Sequence, residues 1–237
     1  IFSVVDAVLL DPLPYDDTDR LVAITGSAPG SDLPEEFRLA PEFYLQYGES
    51  DLLTAVATYN NFTSTLRVGD RIERVRMAVP SATLFETLGV TPTLGRLPVP
   101  ADEDNVAVLS HALWMTWFGG DPSVLGRSVY ASGGDRTIIG IMGPEFWFER
   151  DDVLLWIPFV IRAEGLDPGE FGRDGLVARM APGVTREALL EDLAVLASRL
   201  PDRFGGSPTY ARVISQHRPV VRSLEEEIRG DVSGPLW

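Results

Sequence analysis

Cysteine is missing from the whole chain, and its absence removes several kinds of chemistry at once. The protein can form no disulfide, offer no thiolate nucleophile, and hold no zinc or iron–sulfur group through thiolates. Lysine is missing too, since all 20 basic residues are arginine, and the P-loop pattern requires a lysine. The glycine-rich dinucleotide fingerprint does not occur either. We therefore expect no nucleotide hydrolysis by a P-loop mechanism in this chain.

Positive charge is scarce relative to negative charge. The 35 acidic residues outnumber the 20 arginines and give a formal net charge of -15. A surface this acidic repels phosphate backbones, so nucleic acid is not expected as a partner. Long hydrophobic runs are lacking as well, because every apolar stretch is shorter than the roughly 18 residues that a membrane span needs. Hydrophobic residues still make up 45% of the 237 residues, enough for a sizeable core.

The hydrophobic patterning alternates between strand-like and helix-like segments. Two pairs of β-branched runs meet at glycine-containing turns, Gly69-Asp70 and residues 132–135, and each pair predicts a β-hairpin. Further strands are predicted at residues 20–25, 106–109, 176–180 and 213–221. Helices are predicted at residues 41–47, 81–88, from 110 to 119, and from 185 to 201. This mixed order indicates an α+β fold in which one lobe is inserted into another.

Three polar residues stand where helices are predicted to begin, namely Ser81, Ser110 and Thr185. A side-chain oxygen at that position can accept a hydrogen bond from a free backbone N–H of the first turn. Ser110 also precedes His111, and a serine beside a histidine can be a nucleophile and its base. We favour the capping role for Ser110. His217, the other histidine, is predicted to be solvated or to lie on an edge strand.

Metal and modification sites are weakly indicated. Clustered acids that could hold a hard cation through oxygen occur at residues 102–104, 16–19 and 151–152, but we favour a solvated, solubilising role for all three. The Asn61-Phe62-Thr63 triplet matches a glycosylation acceptor, which is common by chance. No catalytic residue, cofactor site or metal site is predicted.

Tryptophan is concentrated in the middle of the chain. Four of the five tryptophans fall within residues 114–156, and they are Trp114, Trp117, Trp147 and Trp156. Such a group can form the core of a small β-rich lobe. Alternatively, it can form an exposed aromatic surface that contacts a partner or an apolar substrate. We keep the second interpretation as the candidate functional surface.

Several segments resemble the MacB-like periplasmic core domain of FtsX/MacB-type ABC transporter permeases, in particular the orphan permease group. The most specific are RVRMAVPSATLFETLGVTPTLGR at residues 74–96 and VAVLSHALWMTWFGGDPSVLGRSV at residues 106–129. Residues 4–24, 138–148, 155–159 and 178–200 follow the family in order, so the resemblance spans nearly the whole chain. Residues 33–53 and 163–175 depart from it, which leaves any partner surface in those segments open.

The resemblance implies a two-lobed domain on the outer side of a bacterial inner membrane. A porter-like α/β sandwich would comprise residues 1–96 and 173–237, with residues 1–10 as the end of a transmembrane helix. A β-rich, Sabre-like lobe would be inserted at residues 97–172. We expect the isolated chain to be a monomer, because dimer contacts in such permeases depend on the membrane helices and the ATPase.

The resemblance also implies a function without catalysis. Such a domain transmits conformational change driven by ATP in the cytoplasm and thereby serves the export of a substrate. The implied partners are an ABC ATPase, a second permease copy and, in some systems, a periplasmic adaptor or outer-membrane channel. An alternative is a protein-binding module of an FtsX-like complex that regulates a partner such as a cell-wall hydrolase. A hydrolase with dispersed carboxylates is a third hypothesis.

Overall fold

The computed structural model of the chain describes residues 13–164, 166, 168 and 174–232. The predicted membrane-helix end at residues 1–10 therefore lies outside the described residues. In chain order the elements are β1 (Leu21–Ser27), α1 (Pro41–Tyr47), β2 (Leu53–Val68), β3 (Arg71–Pro80), α2 (Leu84–Leu88), β4 (Leu94–Gly95), β5 (Val106–Leu109), α3 (His111–Phe118), β6 (Ser128–Ala131), β7 (Gly134–Ile141), β8 (Leu155–Trp156), β9 (Gly175–Met180), α4 (Arg186–Ala197), α5 (Leu200–Phe204), α6 (Pro208–Ser215), β10 (Arg218–Ser223) and α7 (Leu224–Val232). Short 3-10 turns occur at Thr18–Arg20, Pro100–Asp102 and Pro122–Val124.

The chain divides into two compact units. Unit 1 comprises Ile1–Val56 and Asp167–Trp237, and unit 2 is Ala57–Leu166. This division differs from the sequence-based boundaries at residues 97 and 172. The difference arises because the β2–β3 hairpin pairs with strands of the later segment: β2 with β6, and β3 with β8. Residues 57–96 therefore group with the β-rich part of the chain.

Unit 1 is built on an antiparallel sheet in which β1 is central. Strand β1 pairs with β10 on one side and with β9 on the other, and all six residues of β9 are buried. Helix α4 contacts both β10 and α1, and its leucines Leu189, Leu193 and Leu196, spaced four and three residues apart, are buried. Burial of one face of α4 accounts for a helix that otherwise carries polar and charged residues.

Unit 2 is rich in strands, and the pairings between its strands form a closed ring that begins and ends at β2. Strand β2 pairs with β3, β3 with β8, β8 with β5, β5 with β7, β7 with β6, and β6 again with β2. Side chains from all these strands form one core, which includes Leu66, Met77, Leu109 and Ile138. Leu113 of α3 is the helical residue buried in this core, so α3 packs along one side of it.

Many predicted elements are confirmed. The predicted helix at residues 41–47 and the strand at 106–109 coincide with α1 and β5. The two hairpins form, with Gly69-Asp70 and Ser132-Gly133 as their two-residue turns. Ser132 and Gly133 both have positive φ angles, 51° and 85°, as a tight turn between right-twisted strands requires. The prediction of a mixed α+β fold is therefore confirmed.

Two local predictions are wrong. Ser81 does not cap α2, because its hydroxyl instead accepts a hydrogen bond from the Thr58 backbone N–H at 3.1 Å. The strand predicted at residues 213–221 begins later, at Arg218, because residues 208–215 form α6. Ser207 caps that helix by accepting from the Tyr210 N–H, and Pro208 follows at its first position. No helix among the described residues is both long and apolar enough to cross a membrane.

Candidate functional site: an aromatic helix and a charged cleft

Helix α3 carries the aromatic surface that the sequence singled out. It begins because the Ser110 hydroxyl accepts a hydrogen bond from the Leu113 N–H at 3.1 Å, which confirms the capping role. It ends at Gly119, whose φ of 62° closes the last turn. Leu113 is buried, whereas the tryptophans of the helix are half-buried and Met115 is 47% exposed. An apolar helix face is thus presented in part to solvent.

The two tryptophans of α3 are held by polar contacts as well as by packing. Trp114 donates its indole N–H to the Asp121 carbonyl at 3.0 Å, and the His111 ring lies 5.7 Å from the Trp114 ring. The Arg71 guanidinium, from the start of β3, lies 4.0 Å from the centre of the Trp117 ring. This cation–π geometry fixes the orientation of Trp117 and leaves it at the surface.

The other two predicted tryptophans are placed differently. Trp156 is 1% exposed and lies in the interior, where its ring is 5.1 Å from that of Phe146 and 6.1 Å from that of Phe85. Trp156 is therefore a core residue and has to be removed from the predicted contact surface, because no partner could reach it. Trp147 is half-buried in the segment before it. The four predicted tryptophans therefore do not form a single contact surface.

His217 is buried, so the first of its two predicted placements, a solvated one, is wrong; it directly precedes β10, which lies at the edge of the sheet. It is 3% exposed, its Nε2 forms a hydrogen bond of 2.7 Å with the Tyr47 hydroxyl, and its ring lies 4.6 Å from that of Phe43. Burial, together with the nearby Arg218 charge, lowers the pKa of His217 to about 3. Burial likewise raises the pKa of Tyr47. The pair is thus neutral, and it is a packed polar contact with no access for a substrate.

The position of Gly26 shows how tightly His217 is enclosed. A Cβ atom at Gly26 would lie 2.5 Å from the His217 ring, closer than any real contact. No local pattern in the sequence indicates this enclosure, because Tyr47 and His217 are 170 residues apart. They meet only in the tertiary fold of unit 1, since Tyr47 ends α1 and His217 directly precedes β10.

The acidic clusters do not converge on a cation site. Each carboxylate of residues 102–104 forms an ion pair with a different arginine: Asp102 with Arg96, Glu103 with Arg162 and Asp104 with Arg136. Asp152 pairs with both Arg76 and Arg150, and Asp17 pairs with Arg20. Across the described ranges no group of three or more His, Cys, Asp or Glu residues is arranged to hold a metal ion.

A charged cleft lies in unit 1 beside the last strand. Glu36 accepts hydrogen bonds from the Arg222 guanidinium through both carboxylate oxygens and from the Thr25 hydroxyl. The ion pair lines two neighbouring cavities of about 360 and 530 Å³, which share Glu36 and Arg222. Glu226 and Glu227 of α7 border the first cavity. The cleft is polar and already ion-paired, so it offers no unused reactive group.

Comparison with known proteins agrees with the fold. The chain matches the family model of the MacB-like periplasmic core domain over residues 1–196. No curated protein matches it. The periplasmic region of MacB from Actinobacillus actinomycetemcomitans is similar in structure, with a TM-score of 0.61 and 14% identity over 92% of this chain and 94% of that one.

Two other solved structures share the fold. A permease-protein domain from Porphyromonas gingivalis gives a TM-score of 0.64 and 19% identity over 88% of this chain and 91% of that one. The extracellular domain of the noncanonic ABC-type transporter YknZ from Gram-positive bacteria gives a TM-score of 0.58 and 14% identity over 84% of this chain and 99% of that one. These likenesses concern the fold, while the family model covers most of the sequence. The chain therefore belongs to the MacB-like periplasmic core domain family.

Proposed function

We propose that this chain is the extracytoplasmic domain of an ABC transporter permease in a bacterial inner membrane and that it transmits ATP-driven conformational change for the export of a substrate. It performs no chemistry of its own. Its partners in the full-length protein are an ABC ATPase and a second permease copy. Membership of the MacB-like family supports the permease assignment.

One geometric observation carries the mechanical part of the proposal. Val22, at the start of β1, lies directly opposite Ser223, at the end of β10, in the antiparallel pair. The segment that leads into β1 and the helix α7 that follows β10 therefore leave the sheet of unit 1 at the same end. A domain that is connected to the bilayer both before β1 and after β10 needs the two connections at the same end of the sheet. Movement of the connecting segments then acts on that one end.

This chain lacks cysteine, so one introduced cysteine labels it at a single place in an intact permease whose other cysteines, where present, have been replaced by serine. A spin label at Leu190→Cys, on the exposed side of α4, would report the distance between the two copies of the permease. We expect that distance distribution to change between nucleotide-free and ATP-bound transporter. A doubly labelled Leu190→Cys/Arg212→Cys chain, with both labels in unit 1, is the rigid control and should show an unchanged intramolecular distance. An unchanged intercopy distance in a permease whose ATPase turns over would contradict the proposal.

We also propose that the exposed side of α3, with Trp114 and Trp117, contacts a partner or substrate, together with the half-buried Trp147. A photo-crosslinking residue at Met115 in the full-length protein tests this, with Arg212 on α6 as the control position. Crosslinks to an export adaptor or outer-membrane channel support a transport role. Crosslinks to a murein hydrolase favour the alternative signalling role, and equal crosslinking from both positions would contradict a contact at α3.

A further inference from the structure

The first half of β3 has an open backbone edge. Its partner β2 is joined to it by the Gly69-Asp70 turn, with Val68 opposite Arg71. On the other side of β3, the carbonyls of Arg76, Ala78 and Pro80 accept hydrogen bonds from residues 154, 157 and 159. Because the direction of backbone groups alternates along a strand, the N–H and C=O of Ile72 and Arg74 point to that same side. Strand β8 reaches only Met77 and Ala78, and no other described residue bonds to these backbone groups.

Ile72 and Arg74 place an apolar and a positively charged side chain on one face of this edge, while Glu73, on the other face, is paired with Arg71 at 2.8 Å. Ile72 is 61% exposed, more than any other large hydrophobic residue among those the structure describes. Arg67 lies opposite Ile72 on β2 with its guanidinium 4.7 Å from the Tyr130 ring. Arg74 is exposed and donates to the Thr63 carbonyl at 3.2 Å. Within the described ranges neither Arg67 nor Arg74 has a carboxylate at salt-bridge distance, although the chain as a whole has a net charge of -15.

These observations together point to an occupant. An open strand edge offers main-chain hydrogen bonds to an extended segment, and side chains beside the edge select its sequence. We propose that the edge of β3 at residues 72–74 binds an extended acidic segment of a partner protein as an added strand. Ile72 would contact an apolar residue of that segment, and Arg74 would pair with its carboxylates. Arg67 takes no part, because its guanidinium lies over Tyr130 on β6, on the far side of β2 from this edge. The inference goes beyond the mechanical role and does not depend on it.

A second copy of this chain is a poorer occupant. If two β3 edges paired antiparallel, Arg74 of one copy would lie close to Arg74 of the other. Like charges placed opposite each other on paired strands are destabilising. Charged side chains also protect edge strands from unwanted pairing. An acidic segment relieves that repulsion, whereas a neutral or basic segment does not.

The test measures peptide binding by the 237-residue chain in solution, by fluorescence anisotropy. The probe is a labelled peptide of about eight residues in which Glu and Val alternate, a length typical of a strand. The matched probes are the same peptide with Lys for Glu, and the same peptide N-methylated along one edge so that it cannot form a ladder. The variants are Arg74→Glu and Ile72→Pro, with Arg67→Glu on the far side of β2 and Arg212→Glu on α6 as the controls, and circular dichroism checks that each one folds.

We expect saturable binding of the acidic peptide that weakens at least about tenfold for Arg74→Glu, changes much less for Arg67→Glu and remains unchanged for Arg212→Glu. The N-methylated peptide should fail to bind the unmodified protein, a result that does not depend on how any variant folds. Proline at 72 removes only an outward N–H, so a folded Ile72→Pro chain should lose binding. The inference is overturned by an absence of binding, by equal binding of the basic or N-methylated peptide, or by binding to phosphatidylglycerol vesicles in place of the peptide.

Discussion

The Arg222 guanidinium joins β10 to the loop before α1 through both carboxylate oxygens of Glu36. The same arginine lies 3.7 Å from Glu227 of α7, so one side chain links a loop, a strand and the helix that follows the strand. A bidentate arginine–carboxylate pair has defined geometry as well as attraction, and this pair is only partly exposed. The pair therefore stabilises the place where α7 leaves the sheet of unit 1. The proposed mechanical role places the coupling to the membrane at that end of the sheet.

Glu36→Gln is predicted to destabilise the chain by about 1 kcal/mol near neutral pH, because it removes the charge that Arg222 binds. Burial alone would raise the pKa of Glu36, but hydrogen bonds from Arg222 and Thr25 and the arginine charge outweigh it and lower the pKa. A lowered pKa in the folded state contributes stability above the unfolded-state value of 4.5. That contribution disappears as the pH falls from 4.5 through the folded-state value.

Urea denaturation of wild type and Glu36→Gln at several pH values measures the effect through tryptophan fluorescence. The two stabilities should differ at neutral pH and converge in acid. Glu103→Gln is the matched control, since Glu103 and Arg162 are both more than half exposed and that pair should contribute little. A constant difference between wild type and Glu36→Gln across the whole pH range would show that Glu36 acts through packing and not through its charge.

His217 is predicted to make the chain sensitive to acid. Its pKa is lowered from 6.5 to about 3 by burial. Below pH 6.5 the unfolded state therefore binds a proton that the folded state excludes, and stability is lost as the pH falls towards 3. For a pKa lowered from 6.5 to about 3 the loss is at most roughly 5 kcal/mol, and His217→Gln should abolish this part of the pH dependence. Denaturant midpoints measured from neutral pH to pH 4 would test it.

The control for this experiment is Tyr47→Phe. It removes the hydroxyl that bonds to His217 but keeps the imidazole buried among Phe43 and its neighbours. The pH dependence should therefore survive in Tyr47→Phe although the overall stability falls. If wild type and His217→Gln show parallel curves, the imidazole is solvated in solution and the burial seen here is wrong.

Local signals in the sequence predicted local structure. Ser110 and Thr185 were recognised as caps because the bond each makes is to a backbone N–H three residues on. The hairpin turns can be predicted because each is only two residues long and contains a glycine, which adopts the positive φ that such turns require. The same rule predicts a cap at Ser81, but its hydroxyl accepts from the Thr58 N–H of β2 and not from an N–H in the first turn of α2. Only the tertiary fold decides which of these two donors the hydroxyl meets.

Long-range contacts account for what the sequence did not predict. Neither the enclosure of His217 nor the Arg222–Glu36 pair, 186 residues apart, has any signal at short spacing. The aromatic surface was half predicted: Trp114 and Trp117 share one helix, while Trp156 looks the same in sequence but lies on a two-residue strand between β3 and β5. The open edge of β3 also depends on how far β8 extends, which hydrophobic pattern alone does not reveal.

The contrast between Trp156 and Met115 gives a stability prediction. Trp156→Ala removes a fully buried ring that contacts Phe85 and Phe146, and it should destabilise unit 2 by about 3–5 kcal/mol. Met115→Ala, at a position 47% exposed, should stay within about 0.5 kcal/mol of wild type. Thermal unfolding followed by circular dichroism can compare the two. Equal effects of the two substitutions would place Trp156 at the surface after all.

Gly95 is predicted to tolerate no side chain, for two separable reasons. Its φ of 76° is strained for other residues, and a Cβ there would lie 2.1 Å from the Ile139 carbonyl oxygen on the neighbouring strand β7. Gly183 has nearly the same φ, 79°, but nothing within 4 Å of its Cβ position, so Gly183→Ala isolates the backbone strain at about 1 kcal/mol. Gly95→Ala adds the steric clash and should cost about 3 kcal/mol or more in free energy of unfolding, because β4 must move away from β7. Urea denaturation of both variants measures the difference, and similar losses in the two would mean that β4 does not pair with β7 as closely as the structure shows.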